Sequence, residues 1–296
     1  MKKLIYLLCL VLLMASCQKE IDWGSDNPSA DNSYDVAGST VVTSMPPNSR
    51  INGYLLDSGI VAVPDSGINL RFDYANVPDN VTWSDSLKTP VNLADYPQAR
   101  YMVGFSQSLA GQAVTANEYF SLNTTDWNDL GGYFNPAINI SQGGFGIDIP
   151  QQANKNNPAQ TLVKFPVKYK DSINQSVNSS VNLQISGNFS GIPFNGPLTI
   201  SLATVVNSKN IGYGYLKLKG YPDSLRVVVQ RYATSITTTF SSTNFLINTL
   251  LATLLSQAGI PNGQTITTTV YRFWAKNKGL VMTREANGMA RVRTGL

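Results

Sequence analysis

Short runs of alternating apolar and polar residues fill most of the chain. Val181, Leu183 and Ile185, then Leu198, Ile200 and Leu202, recur at every second position, the period of a strand with one buried face. Similar runs occupy 52–56, 68–74, 100–105, 118–122, 162–169, 213–219, 225–231, 236–240, 265–275 and 279–283. Turn chemistry separates them at Pro64-Asp65-Ser66-Gly67, Val77-Pro78-Asp79-Asn80 and Ser141-Gln142-Gly143-Gly144. Many short strands punctuated in this way predict an antiparallel all-β domain.

One stretch has a different period. Ile247, Leu250, Leu251, Leu254, Leu255 and Ala258 recur at three and four residues, which places them on one face of a helix over 244–258. Ser242, Thr243 and Asn244 are N-cap candidates, and Gly259 and Pro261 supply the stop. Such a helix must bury its apolar side, most simply against the concave face of a curved sheet; the rival use is a lid over a hydrophobic ligand.

The two ends of the chain break the strand pattern. At the start, Lys2 and Lys3 precede an apolar run from Leu4 to Met14 and the small pair Ala15 and Ser16, the layout of a secretory signal. The run falls short of the about 20 apolar residues that span a bilayer. From Gln18 to about Arg50 the chain is rich in Ser, Asn, Asp, Gly and Pro, which reads as a flexible tether. The expected organisation is therefore a signal at 1–16, a tether at 17–50 and a β-rich domain at 51–296. The Asn-rich stretch Gln151 to Gln160 is the place for a subdivision.

Leu13-Met14-Ala15-Ser16-Cys17 resembles the lipobox of bacterial lipoproteins. That resemblance implies cleavage before Cys17, lipid on its sulfur and amine, and stable anchoring by several acyl chains. Gln18, Lys19, Glu20 and Asp22 resemble the charged signal that sends lipoproteins of the Bacteroidota to the outer face of the outer membrane, although Ile21 interrupts the acidic run. Outer-membrane anchoring with display on the cell surface is the expected location.

Three further stretches resemble a largely uncharacterised β-rich module of secreted and lipid-anchored proteins of that phylum. They are Lys164-Phe165-Pro166-Val167-Lys168-Tyr169-Lys170-Asp171-Ser172, Gly212-Tyr213-Gly214-Tyr215-Leu216 running on to Asp223-Ser224-Leu225-Arg226-Val227, and Tyr271-Arg272-Phe273-Trp274-Ala275 before Gly279-Leu280-Val281. The likeness covers roughly residues 96–285 and departs from the pattern at Tyr215, at 217–220 and in the long insertion between Ile173 and Asn210. It implies a curved antiparallel sheet or half-barrel with strands wrapped around a helix, and no activity. Read from the residues alone, Gly212 and Gly214 relieve crowding or permit a bulge, and Pro222-Asp223-Ser224 makes a hairpin turn.

Composition narrows the chemistry. The chain has no histidine, and its two cysteines are Cys9, inside the signal, and Cys17, the lipid site. The mature body therefore offers no Ser-His-Asp or Cys-His site and no histidine or thiolate metal site. No phosphate loop or calcium loop occurs; Asp126, Asn128 and Asp129 lack the later glutamate that a calcium loop needs. Neither cofactor nor metal is expected. The net charge of +4 falls to +2 without Lys2 and Lys3, too little to suggest nucleic acid as a partner. Arg272, Lys276, Lys278, Arg284, Arg291 and Arg293 make the C-terminal stretch basic, which reads as solvated strand edges.

Two currencies remain. Carboxylate pairs can hydrolyse glycosides, and the candidates are Asp73, Asp79, Asp85, Asp95, Glu118, Asp126, Asp129, Asp148, Asp171, Asp223 and Glu285, most of them in turn-like contexts. Aromatic faces can stack on sugars, and Trp83, Trp127, Tyr133, Phe134, Phe145, Tyr213, Tyr215, Tyr221, Phe273 and Trp274 are the candidates, though sheets also fill their cores with such rings. The sequence thus points to a noncatalytic envelope lipoprotein with a binding or scaffold role. A glycan-binding accessory protein and a half-barrel carrier of a hydrophobic ligand are the alternatives, with a carboxylate enzyme behind them.

Overall fold

A computed structural model describes residues 34–56, 62–109, 112–134, 138–142, 145–189, 191–257, 262–285 and 287–296. The signal, Cys17 and the first part of the expected tether lie outside the described residues. A short helix α1 (Gly38–Ser44) leads into β1 (Ser49–Leu56), β2 (Gly67–Tyr74) and β3 (Asp79–Leu87). There follow β4 (Tyr101–Leu109), β5 (Gln112–Leu122), β6 (Asp126–Phe134), β7 (Ile138–Gln142), β8 (Phe145–Ile149) and β9 (Gln152–Lys164). The longest strands come next: β10 (Ser172–Phe189), β11 (Ile192–Leu218) and β12 (Leu225–Ser241). Helix α2 (Phe245–Gln257), β13 (Gln264–Ala275), β14 (Gly279–Arg284) and β15 (Ala290–Arg293) complete the chain.

All strands belong to one sheet, and twelve of them follow in the order β3-β1-β15-β14-β13-β12-β11-β10-β9-β6-β5-β4, every neighbour antiparallel. The two ends of that order meet where Lys88 and Met102 exchange backbone hydrogen bonds of 2.8 and 2.9 Å. The sheet is thus a nearly closed barrel with one seam, in keeping with the expected curved antiparallel architecture.

Alternation sends successive side chains to two different cores. On β13, Tyr271, Phe273 and Ala275 join a cluster with Leu216, Val229 and Val292, while Trp274 between them packs with Val228, Val163 and Val41. Strand β2 completes the first cluster by running parallel to the last part of β11. Gly212 and Gly214 make that approach possible, since a Cβ on Gly214 would collide with the Leu70 carbonyl and one on Gly212 would meet Gly67 and Leu70. A bulge does fall there, between Asn210 and Gly212.

The helix lies where the 3.6-residue period puts it. Asn244 caps it, its Oδ1 accepting the Leu246 N–H at 2.9 Å. Ile247, Leu250, Leu251 and Leu255 fill a third cluster with Leu183, Ile185, Phe194, Leu198 and Phe240 at the far end of the long hairpin. These four side chains are spent on packing, and Gly196 gives them room, because a Cβ there would press on Ile247; Ala258, Gly259 and Pro261 lie outside the described residues.

Two expected boundaries move. Tyr34, Val36, Val41 and Met45, assigned by composition to the tether, are buried, and Val36 bridges Val167. The packed body therefore begins by Tyr34, because a few well-spaced apolar residues suffice to anchor a polar segment inside a preformed ring. The stretch around 151–160, expected as a loop or subdivision, is instead most of β9 and pairs with β6. Its polar composition reflects side chains that are mostly half-buried or exposed.

Candidate functional site

Away from the seam, the barrel wall has its fewest backbone pairs between β9 and β10. These neighbours share a single ladder pair, Asn157 with Asn178. Two glutamine side chains stand in for the missing backbone bonds. Gln175 accepts the Thr161 N–H at 2.9 Å and donates to the Ala159 carbonyl at 2.8 Å; Gln152 likewise accepts the Asn182 N–H at 3.0 Å and donates to the Asn182 carbonyl. A carboxamide carries the same donor and acceptor as a peptide group, so each glutamine closes the gap without a strand in register.

A depression opens on each side of that bridge. The first, about 420 Å³, is lined by Val163, Phe165, Lys168, Asp171 and Ile173, with the buried Ser208, Asn210 and Gln230 at its floor. The floor groups are already engaged: Asn210 donates to the Lys168 carbonyl and Gln230 to Leu162 O and Ser208 Oγ. Burial raises the Asp171 pKa, and Lys168 opposes the shift.

The second, shallow and about 550 Å³, lies on the outward face of the sheet. Asn157, Asn178, Ser180, Asn182, Ser201 and Thr239 line it, with Ala203 between them. Lys155 stands at its rim, but its ammonium is held 2.9 Å from Asp95 and faces the Tyr96 ring. Register places these side chains in rows across four strands. Ser176, Val205, Ser235 and Thr267 form one, and Asn178, Ala203, Thr237 and Thr265 the next. Hydroxyls link β12 to β13 within each row, Ser235 to Thr267 at 2.8 Å and Thr237 to Thr265 at 2.7 Å.

Within its central rows this face carries no charge, and the sequence held the signal for it. No Asp, Glu, Lys or Arg occurs from Ile173 to Ser208 or from Ala233 to Tyr271. Soluble surfaces ordinarily place charge on about a quarter to a third of their positions, so two such runs, paired edge to edge, set the face apart. A search for motifs misses it, because the feature is an absence extended over a sheet.

On the opposite side of the wall the structure brings two of the sequence candidates together. Glu118 on β5 and Asp129 on β6 occupy the same face of adjacent strands, Asp129 opposite Phe120 and Glu118 two pairs further on, across the bulge. Asp129 accepts the Gly131 N–H at 2.8 Å. Gly131 must be glycine, as its φ of +109° is unfavourable for other residues and a Cβ would strike the Asn154 carbonyl. Desolvation raises the Asp129 pKa, against the hydrogen bonds from Gly131 and Asn156. Desolvation and then the charge of Asp129 push Glu118 up to about 7, even though its side chain keeps contact with solvent at the concave wall. Further along the same face, Gln160 donates to the Tyr232 hydroxyl at 2.9 Å, and the Arg272 guanidinium lies 4.2 Å from the Tyr232 ring centre.

The other carboxylates stay apart. Asp126 accepts from Asn123 and Asn128 within a turn, Asp73 from the Ala75 N–H, and Glu285 lies 3.5 Å from Arg291. Asp85, Asp148 and Asp223 are exposed, and Asp79 opens β3. Among the described residues no three His, Cys, Asp or Glu side chains gather as a metal site would need.

The aromatic candidates are mostly core. Trp127, Tyr213, Phe273 and Trp274 are buried; Trp83, Tyr133, Phe134 and Tyr221 are half-buried. Tyr215 is exposed, yet its ring meets Tyr34 edge-on at 5.9 Å. Phe145 opens β8. No exposed row of rings forms among the described side chains. Comparison with known proteins finds no matching family model, no similar curated protein and no similar solved structure.

Proposed function

We propose that this chain is a noncatalytic lipoprotein of the cell envelope, held on the outer membrane through lipid on Cys17 and binding its ligand with the outward face of β10 to β13. The anchor reading rests on the order of basic start, apolar run and Leu13-Met14-Ala15-Ser16-Cys17. The binding reading rests on one observation, a broad exposed face of hydroxyl and amide side chains with a depression of about 550 Å³, within the range of small-molecule sites. Display on the cell surface would put that face where extracellular ligands reach it.

The anchor is tested by Cys17→Ser in the native host. Loss of fatty-acid labelling and release from membranes are expected, and retention on membranes would sink the reading. Protease treatment of intact cells tests display, and a protected protein would place the body on the periplasmic side.

A second reading is favoured by Glu118 and Asp129. One carboxyl with a pKa near 7 beside another is the raw material of glycoside hydrolysis, with Glu118 as the acid. Release of reducing ends from a polysaccharide, abolished by Glu118→Gln, would establish it.

A further inference from the structure

We infer that the ligand of the outward face of β10 to β13 is a neutral, hydroxyl-rich oligosaccharide, seated over Asn178, Ser180, Ser201, Ala203 and Thr239; this rests on the noncatalytic binding reading above. Charge and polarity together select the class. A nucleic acid or an acidic glycan needs cations to replace its counterions, and around the depression Lys155 is held by Asp95 and Tyr96, while Lys209 and Arg231 on the same face lie beyond the uncharged runs. A basic peptide needs carboxylates, and the runs 173–208 and 233–271 contain none. An apolar ligand needs a mainly apolar lining, whereas most of the residues walling the depression are Asn, Ser and Thr, with Ala153, Leu202 and Ala203 the apolar ones. An extended peptide adding to the sheet needs a free edge, and β11 and β12, which carry Ser201, Ala203 and Thr239, are interior strands with a partner on either side.

What fits is a ligand whose groups both donate and accept without carrying charge. Amide and hydroxyl side chains have the same double capacity, so Asn178, Ser180, Ser201 and Thr239 can match sugar hydroxyls in either sense. Ala203, exposed at the centre, leaves a flat apolar spot for the C–H face of a pyranose ring, and Tyr133 stands beside the lining residue Ala153 on the neighbouring strand.

The test uses the full chain, solubilised in mild detergent, in native gels cast with single polysaccharides. The neutral probes are β-glucan, α-mannan, galactan and amylopectin; the acidic probes are polygalacturonate and chondroitin sulfate. At least one neutral polymer is expected to retard the protein, and neither acidic one. Asn178→Ala with Thr239→Ala is expected to weaken the retardation about tenfold or more, a loss of about 1.4 kcal/mol. Ala203→Glu, at an exposed position, is expected to abolish it with the thermal melt unchanged, whereas Ser224→Ala, in the exposed turn before β12, is expected to leave it intact. The inference is overturned if no neutral polymer retards the protein, if an acidic one binds more tightly, or if binding survives Ala203→Glu. Release of reducing ends from the same polymers would instead sink the noncatalytic reading, so the two failures are distinguishable.

Discussion

The carboxamide oxygen of Gln230 accepts the indole N–H of Trp274 at 3.1 Å, tying two neighbouring strands together in the centre of the barrel. Gln230 is 1 % exposed, and its Nε2 is shared between the Leu162 carbonyl and Ser208 Oγ, each at 2.9 Å. One side chain thus satisfies partners on β9, β11 and β13 from its place on β12. Gln230→Leu keeps the volume but strands those partners without water. The expected cost is about 3 kcal/mol of unfolding free energy, since each orphaned buried polar group costs about 1–3 kcal/mol. Urea denaturation measures it, and a change below about 1 kcal/mol would mean that the network relaxes around the leucine.

The placement of Met45 separates a packed N-terminal segment from a tether. It is 3 % exposed and lies in the same core as Trp274 and Leu280. Met45→Ala is expected to lower stability by about 2–5 kcal/mol, the range for emptying such a site. A free tether residue would change nothing measurable.

Gln175 bears on the split between β9 and β10. Removing its carboxamide leaves the Thr161 N–H and the Ala159 carbonyl without their partner. Gln175→Ala is expected to speed amide hydrogen exchange at Thr161 while leaving Thr234 on β12 protected, and to cost about 1 kcal/mol overall. Unchanged exchange at Thr161 would show that the wall closes without the glutamine.

Glu118 makes stability depend on pH in a definite direction. Its pKa rises from 4.5 in the unfolded chain to about 7 in the fold, so between those values the folded state holds a proton that the unfolded state has released. Stability must then fall as pH rises from 4.5 to about 7, and level off above. Asp129 adds to the fall in the same sense, and solvent contact at Glu118 moderates its share. Thermal melts of Glu118→Gln over this interval are expected to show a shallower decline than the parent. Equal slopes would remove Glu118 as the cause.

Period and caps made α2 and many of the strands readable in the sequence. The helix needs only side chains at three- and four-residue spacing, and its cap at Asn244 is local. β6 was hidden because Asp126, Asn128, Asp129, Gly131 and Gly132 carry no apolar alternation; the neighbouring strands on either side hold it in the sheet. β9 was hidden for the same reason over its first half, where amide side chains do the work of a ladder. Glu118 and Asp129 each appeared among the carboxylate candidates, but their proximity depends on β5 and β6 being adjacent and on the bulge between Tyr119 and Phe120. The neutral face was present in the sequence as two long uncharged runs, yet only the register of β10 to β13 joins them into one surface.

The early burial of the chain has a mechanical meaning. Under the proposed anchor, a pull between a lipid-held Cys17 and a ligand on the outward face reaches Val36, bonded to Val167, and Val41, in the central core, before it reaches β1. Tension is therefore delivered to the most tightly packed part of the barrel, where rupture requires breaking the Val36–Val167 pair and withdrawing α1 from its seat. Under the same load a body held through an edge strand would unzip strand by strand, whereas one held at Val36 and α1 would resist as a block.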